Sequence, residues 1–449
     1  MTVPRTAYHA DWVLPVASSA IADGAIVVEG SVIQYVGPSS GAQADTHVHL
    51  GRSILMPGLV NAHTHLELTA MRGFLDGLDF RKWLGTLTAA RHALFDAATT
   101  LDSATFGIHE GLLSGITTFA DCGSNVAPLA AMRATGVRGI GYIETFGPDP
   151  LARDDSMRML QDTVNAERRC DSSLVRTGVS PHAPYTVSAP LFRAVADWAR
   201  GEQLPLAVHV SESAAEVAFV RDGSGPFADR LRERNIAVNA SGKSPVQWLA
   251  DAGVLGRNTL LIHGVQMDDA DVRTAAESES ALVHCPISNA KLGHGIAPLD
   301  RFLAHGLRVG LGTDSVASNN RMDILGEARM AVLALSIRAG IPDALSAPAA
   351  LELATLGGAR ALGLAPDVGS LEVGKQADVA VFPLNRLESI PAFEPEALLV
   401  HALAGAATAS LVLVAGRPLV RDGQIVDKVD DLYERVEAIG QRLKAWRNP

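Results

Sequence analysis

The chain has 449 residues, 47% hydrophobic and 19% charged, a composition that suits a globular protein and excludes a disordered one. Its formal net charge is −11 with no long basic run, which excludes nucleic acid and anionic membrane surfaces as partners. No stretch approaches the roughly 18 uninterrupted apolar residues of a membrane span, and the opening residues lack a signal-peptide pattern. Three scattered cysteines, Cys122, Cys170 and Cys285, make neither a disulfide framework nor a zinc knuckle, so a soluble, cytoplasmic protein with reduced thiols is expected.

Residues 7–56 are rich in Val, Gly and short alternations such as GAIVVEGSVIQYVG (24–37), and read as hairpins of a small β domain. His47 and His49 lie in this segment two residues apart. Nothing further along it completes a site, so the pair reads as structural. From 57 to 367 short apolar runs alternate with helical patterns. Runs at 115–122, 139–146, 174–181, 205–212, 259–266, 281–288 and 308–315 are near-continuously apolar and turn polar at their C-terminal ends, as parallel strands buried on both faces do. Between them lie stretches such as APLFRAVADWAR (189–200), closed by Gly201. The repeat argues for a barrel or an open doubly wound sheet. Residues 368–426 return to β patterning, with ADVAVFP (377–383) and SLVLVAGRPLVRDG (410–423), and 431–446 has the spacing of an amphipathic surface helix. The expected division is therefore 1–56 and 368–449 as two parts of one β domain, with 57–367 inserted as the α/β unit.

The chemistry-bearing signal is Pro57-Gly58-Leu59-Val60-Asn61-Ala62-His63-Thr64-His65. Side chains at i and i+2 of a strand share a face, so His63 and His65 can point into one site. His209 ends the apolar run PLAV, His263 ends TLLI, and Asp314 ends VGLGT. Polar residues at the C-terminal tips of successive strands are where barrel enzymes carry catalytic groups.

The strings PGLVNAHTHLE, HVSE, HGV, HCPISNAKLGHGIAPL and GTDSVASNN resemble the amidohydrolase superfamily, in its branch of S-adenosylhomocysteine/methylthioadenosine deaminases and triazine hydrolases. The resemblance runs nearly end to end. It implies a distorted (β/α)8 TIM barrel with a small β-sandwich built from both chain ends, and often a homodimer. It also implies that His63, His65, His209 and Asp314 bind one divalent metal, Zn2+ first and Fe2+ second. Two-metal relatives use a carboxylated lysine on the fourth strand; residues 174–181 contain none, so a single metal is expected.

By the same resemblance a metal-bound hydroxide attacks an sp2 ring carbon. Asp314 takes the proton of that water. Glu212, just past His209, protonates the ring nitrogen, and His263 orients the water. His182 in SPHAPY (180–185) matches a substrate-facing histidine, and His284 has an architectural role. Around the substrate, Glu67 follows the His pair, and the aromatic Phe80 and Trp83 after it would cover a flat base, although core packing is the stronger reading for both. The glutamate with which the nucleoside deaminases grip ribose aligns with Arg91 and His92 here, so it is absent or displaced. The run HTHLEL, then an aromatic, Trp83 and Arg91, is more similar to aminodeoxyfutalosine deaminases, whose substrate carries a carboxylated aromatic 5′ group; Arg91 would pair with that carboxylate, or Glu67 would take the ribose contact. The implied function is a metal-dependent aminohydrolase of a 5′-modified adenosine. The alternatives are an s-triazine, guanine or pterin hydrolase and, from another class, a catalytically silent ligand-binding barrel.

Overall fold

The computed structural model describes residues 3–447. Five strands come first: β1 (Arg5–Val13), β2 (Ile21–Glu29), β3 (Val32–Pro38), β4 (Thr46–His49) and β5 (Ser53–Pro57). Eight more follow, β6 (Leu59–Thr64), β7 (Ile116–Gly123), β8 (Arg138–Thr145), β9 (Val175–Pro181), β10 (Leu206–Val210), β11 (Thr259–His263), β12 (Ala281–His284) and β13 (Arg308–Leu311). Four close the chain: β14 (Val379–Pro383), β15 (Leu411–Val414), β16 (Arg417–Arg421) and β17 (Gln424–Ile425).

Strands β6 to β13 form one parallel sheet in sequence order. The sheet curls until its ends meet. Thr64 and Asp314 form a parallel bridge, and the Asp314 N–H donates to the His63 carbonyl at 3.0 Å. This is a nearly closed eight-stranded barrel. Every residue of β6, β7, β10, β11 and β12 is buried, which is why these segments read as unbroken apolar runs. Val60, Ala62, Ile140, Ala207, Ile262 and Val283 fill the inside together with Leu362, Leu364 and Val368. Helices such as Ala97–Leu113 and Ala189–Gly201 pack outside, burying Ile108, Leu112, Leu191 and Val195 against the strands.

The remaining strands make one mixed sheet from both chain ends, in the order β17-β16-β15-β14-β5-β1-β2-β3, with β4 also on β1. Its centre is β5, parallel to β1 (Trp12 opposite Ile54) and antiparallel to β14 (Met56 opposite Ala380). Val13, Ile26, Ile33, Leu55, Val379 and Leu413 form its core. The chain leaves this sheet for the barrel in one step, at Gly58. A Cβ there would stand 2.1 Å from Thr117 Oγ1, so no larger residue fits. A buried ion pair fastens barrel to sheet, with Arg138 Nε and Nη2 donating to Asp378 at 2.8 and 2.9 Å. Strand β4 carries His47 and His49, whose rings stack on His9 far from the barrel mouth's histidines.

The helix expected at 431–446 is Leu432–Arg447. It does more than lie on the surface. Ile439 and Leu443 enter the cluster of Leu68, Met71, Leu75 and Trp83, bracing the segment that follows the His pair. Among the described residues no helix is long and apolar enough to cross a membrane.

Candidate active site

His63 and His65 reach the barrel mouth through a local irregularity. Between Asn61 and Thr64 strand β6 carries one residue more than its partner segment Phe119–Asp121. Such a bulge re-aims the side chains it carries, and barrel rims favour it. His63 is fully buried and His65 nearly so. Asp314 follows β13 with φ +56°, His263 ends β11 with φ +78°, and Ser211 follows β10 with φ +52°. Left-handed backbone at non-glycine residues is unfavourable, and here it clusters at the three strand ends that carry site groups.

These turns bring the side chains together. Asp314 Oδ1 lies 3.4 Å from His63 Nε2 and 3.5 Å from His65 Nε2. Ligand atoms of His63, His209 and His263 lie within 4.8 Å of one another, as do those of His63, His65 and Asp314. Both ring nitrogens of His63 are buried without a hydrogen-bond partner. An orphaned imidazole costs free energy unless something takes its lone pair. Burial holds the His63 imidazole below its usual pKa, lowers His65 to about 3, and pushes His209 well down, so all three are neutral donors at pH 7. Asp314 goes the other way. Burial alone would raise it, but the imidazoles of His63, His263 and His65 around it hold its carboxyl well below the usual carboxylate range. Three neutral imidazoles and one carboxylate fit a divalent cation of borderline softness.

Neighbouring groups fix each donor's direction. His209 Nδ1 faces the His182 carbonyl at 3.2 Å and His263 Nδ1 faces Asn289 Oδ1 at 3.1 Å, which turns both Nε2 atoms to the centre. Ser288 and Ser318 hydroxyls both donate to Asp314 Oδ2, reserving Oδ1 for the histidines. Glu212 stands opposite, its Oε1 3.6 Å from His263 Nε2. Its backbone is pinned from below. Glu216, fully buried, accepts the N–H groups of Ser211 and Glu212 at 2.8 and 2.9 Å.

His182 is partly buried beside His209, ring centroids 4.7 Å apart, with Nδ1 2.8 Å from Thr186 Oγ1; loss of solvent lowers it to about 4. Glu67 and Arg91 meet each other. Arg91 Nη2 lies 2.7 Å from Glu67 Oε1, and Asn125 donates to the other oxygen. Trp83 packs in the apolar cluster with Leu68 and Met71, against Phe80 rather than in the donor ring.

Several further residues stand around the site, most of them without a sequence signal of their own. Ser288, Asn289 and Ser318 lie inside the quoted strings, yet their roles exist only once strands β11 and β13 and the loops after β12 adjoin. Glu144 sits one residue before the end of β8 with Oε1 buried and unpartnered, within 4.8 Å of ligand atoms of His182 and His209, and burial raises it to about 8. His294 lies 3.4 Å from Glu212 Oε1. Phe80, Tyr185 and Phe227 form an aromatic wall, Tyr185 and Phe227 stacked at 4.0 Å.

Known proteins share the sequence and fold along nearly the whole chain. A 5-methylthioadenosine/S-adenosylhomocysteine deaminase of Syntrophobacter fumaroxidans is 32% identical over 94% of each chain. The solved structure of an adenosine deaminase from Xanthomonas campestris, with bound zinc, superposes with a TM-score of 0.87 at 30% identity, covering 98% of both chains. An atrazine chlorohydrolase from Arthrobacter aurescens, complexed with zinc, gives a TM-score of 0.83 at 26% identity over 98% of this chain and 99% of its own. The model of the amidohydrolase family matches residues 54–419, from β5 through the whole barrel to β16. The match takes in every strand of the barrel and both parts of the mixed sheet, and the chain is a hydrolase belonging to the amidohydrolase family.

Proposed function

We propose that the protein deaminates the adenine ring of a 5′-modified adenosine in the cytoplasm, using one zinc ion. The observation that carries this is Glu212 facing the donor ring across His263, at 3.6 Å. His63, His65, His209 and Asp314 would hold the ion, with Fe2+ as the second choice. When bound, the metal supplies the Lewis acidity that brings a ligated water's pKa to about 7.

The chain's own groups do the rest. Asp314 Oδ1 accepts one proton of the attacking water while Ser288 and Ser318 hold Oδ2. Glu212 delivers a proton to the ring nitrogen beside the attacked carbon, offsetting the lost aromaticity; a general acid of this kind contributes about 10^2 to 10^4 in rate. His263, its Nδ1 committed to Asn289, presents an Nε2 lone pair that orients the water. Asp314 then passes its proton to the departing amine. As the carbonyl forms, the hydroxyl proton left on the attacked carbon returns to Glu212, so water and the amino-substituted ring enter, a lactam and ammonia leave, and both carboxyl groups end as they began.

His182 is positioned to touch the base, and the wall of Phe80, Tyr185 and Phe227 suits a flat or aromatic group. Arg91 spends Nη2 on Glu67 and keeps the rest of its fork for a carboxylated 5′ substituent, as in aminodeoxyfutalosine. Glu67 is the candidate for a ribose hydroxyl, and Trp83 supports the wall through Phe80. The test is ultraviolet absorbance of the zinc-loaded protein with a panel of 5′-substituted adenosines. A blue shift with one member names its 5′ group. No shift with any, at one zinc per chain, removes the nucleoside reading and brings s-triazines, guanine and pterins forward.

A further inference from the structure

His294 belongs to the loop after the short helix Pro286–Lys291. Its backbone is held on both sides. The N–H donates to the Asn289 carbonyl at 2.9 Å, and the carbonyl accepts from Gln266 Nε2 at 2.8 Å. Gly293 (φ +73°) and Gly295 (φ +110°) flank it, and the left-handed turn at each side swings the imidazole inward. The side chain is almost wholly buried, with Phe80 edge-on against the ring at 4.7 Å and 88°. Nε2 is sealed from water, makes no hydrogen bond of its own, and points at Glu212 Oε1 from 3.4 Å.

Two imidazoles therefore approach one carboxylate oxygen. They differ in what they can give. His263 faces an amide oxygen with Nδ1, so its proton sits there and its Nε2 carries a lone pair, which cannot donate to Glu212. His294 has no such commitment at Nδ1, and a proton on Nε2 satisfies both the buried nitrogen and the buried carboxylate. We propose that His294 is a positioning residue for Glu212: by donating to Oε1 it fixes the carboxylate's rotation and leaves Oε2 turned toward the substrate's ring nitrogen.

This inference rests on the deaminase reading for its kinetic arm and on geometry alone for its structural arm. Wild type, His294→Leu, His294→Ala and His294→Gln are loaded with zinc, assayed for metal per chain, crystallised, and measured for kcat and KM on the adenosine the wild type converts. The Leu and Ala variants should keep their metal, lose about 10- to 100-fold in kcat with KM changed by less than about threefold, and show Glu212 rotated away from His263. Gln still donates but cannot titrate, so it should restore most of kcat and return Glu212 to its place. Full kcat with Glu212 unmoved in Leu and Ala overturns the proposal. So does a Gln variant as slow as Leu with Glu212 in place, which would make His294 a proton carrier. A wild type that converts no adenosine defeats the deaminase reading instead, and the position of Glu212 across the four crystal structures still decides the role of His294.

Discussion

Glu212 and Asp314 are two buried carboxylates set around the same histidines, and their surroundings give them different work. Asp314 has one oxygen tied by two serine hydroxyls and the other among imidazoles, which suits a ligand that stays ionised. Glu212 touches only histidines, which suits a group that gains and loses a proton. Glu212→Gln keeps the shape and removes the proton. Its kcat should fall by about 10^2 to 10^4 with KM nearly unchanged and one metal retained per chain; an activity loss smaller than tenfold would assign the acid elsewhere. Arg91 divides its charge between Glu67 and whatever lies at the mouth. Arg91→Ala should therefore raise KM for carboxylated 5′ substituents far more than for adenosine, and equal effects on both would sink that contact. At this scale the sequence speaks well for groups that end strands, because a lone His or Asp interrupting an apolar run is visible. It is silent on Ser288 and Ser318, in the short helices Pro286–Lys291 and Val316–Asn319, and on His294 in a loop, until the fold brings Asp314 or Glu212 beside them.

The barrel strands themselves were legible as apolar runs, but their ends were not. Runs read as 205–212, 259–266 and 308–315 stop at Val210, His263 and Leu311, because the residues that carry site groups leave the ladder in left-handed turns. Neither the bulge that aims the His pair nor the turns leave a mark in hydrophobic periodicity, since both keep every residue buried. Gly312 shows how tightly the ends are fitted. A Cβ there would meet the His63 carbonyl at 2.8 Å and its Cβ at 2.9 Å. Gly312→Ala must push β6 and its first histidine away from β13. We expect a stability loss of about 1–3 kcal/mol with metal affinity lowered in parallel, read by thermal unfolding and by chelator competition. An alanine variant with unchanged metal affinity would show that the seam yields without moving His63. The C-terminal helix was legible as amphipathic, yet its partner was not: the cluster under Trp83 comes from residues far apart in the chain.

Across the whole molecule, burial shifts several ionisable groups toward their neutral forms. His182 and His284 are lowered by burial from 6.5 to about 4 and about 3. As pH falls below 6.5 the unfolded chain takes up protons that the folded one refuses, so stability declines toward acid. Glu144, Glu216 and Glu327 are raised by burial from 4.5 to about 8. As pH rises above 4.5 the folded chain keeps protons that the unfolded one releases, so stability declines toward alkali until about pH 8. The two slopes oppose each other between 4.5 and 6.5, where the metal-free protein should unfold at its highest temperature; a melting temperature still climbing from pH 6.5 to 8 would contradict this.

The central strand of the mixed sheet has a consequence for how the chain is made. Strand β5 emerges early, but its neighbour β14 follows the entire barrel. At about 5–20 residues per second of synthesis, Ile54, Leu55 and Met56 wait on the order of tens of seconds with one edge unpaired, although all three are fully buried in the end. A nascent ribbon of that kind invites pairing with other chains. Strand β5 thus stays half-paired until β14 has left the ribosome, and sheltering that interval should raise the yield of folded protein during expression.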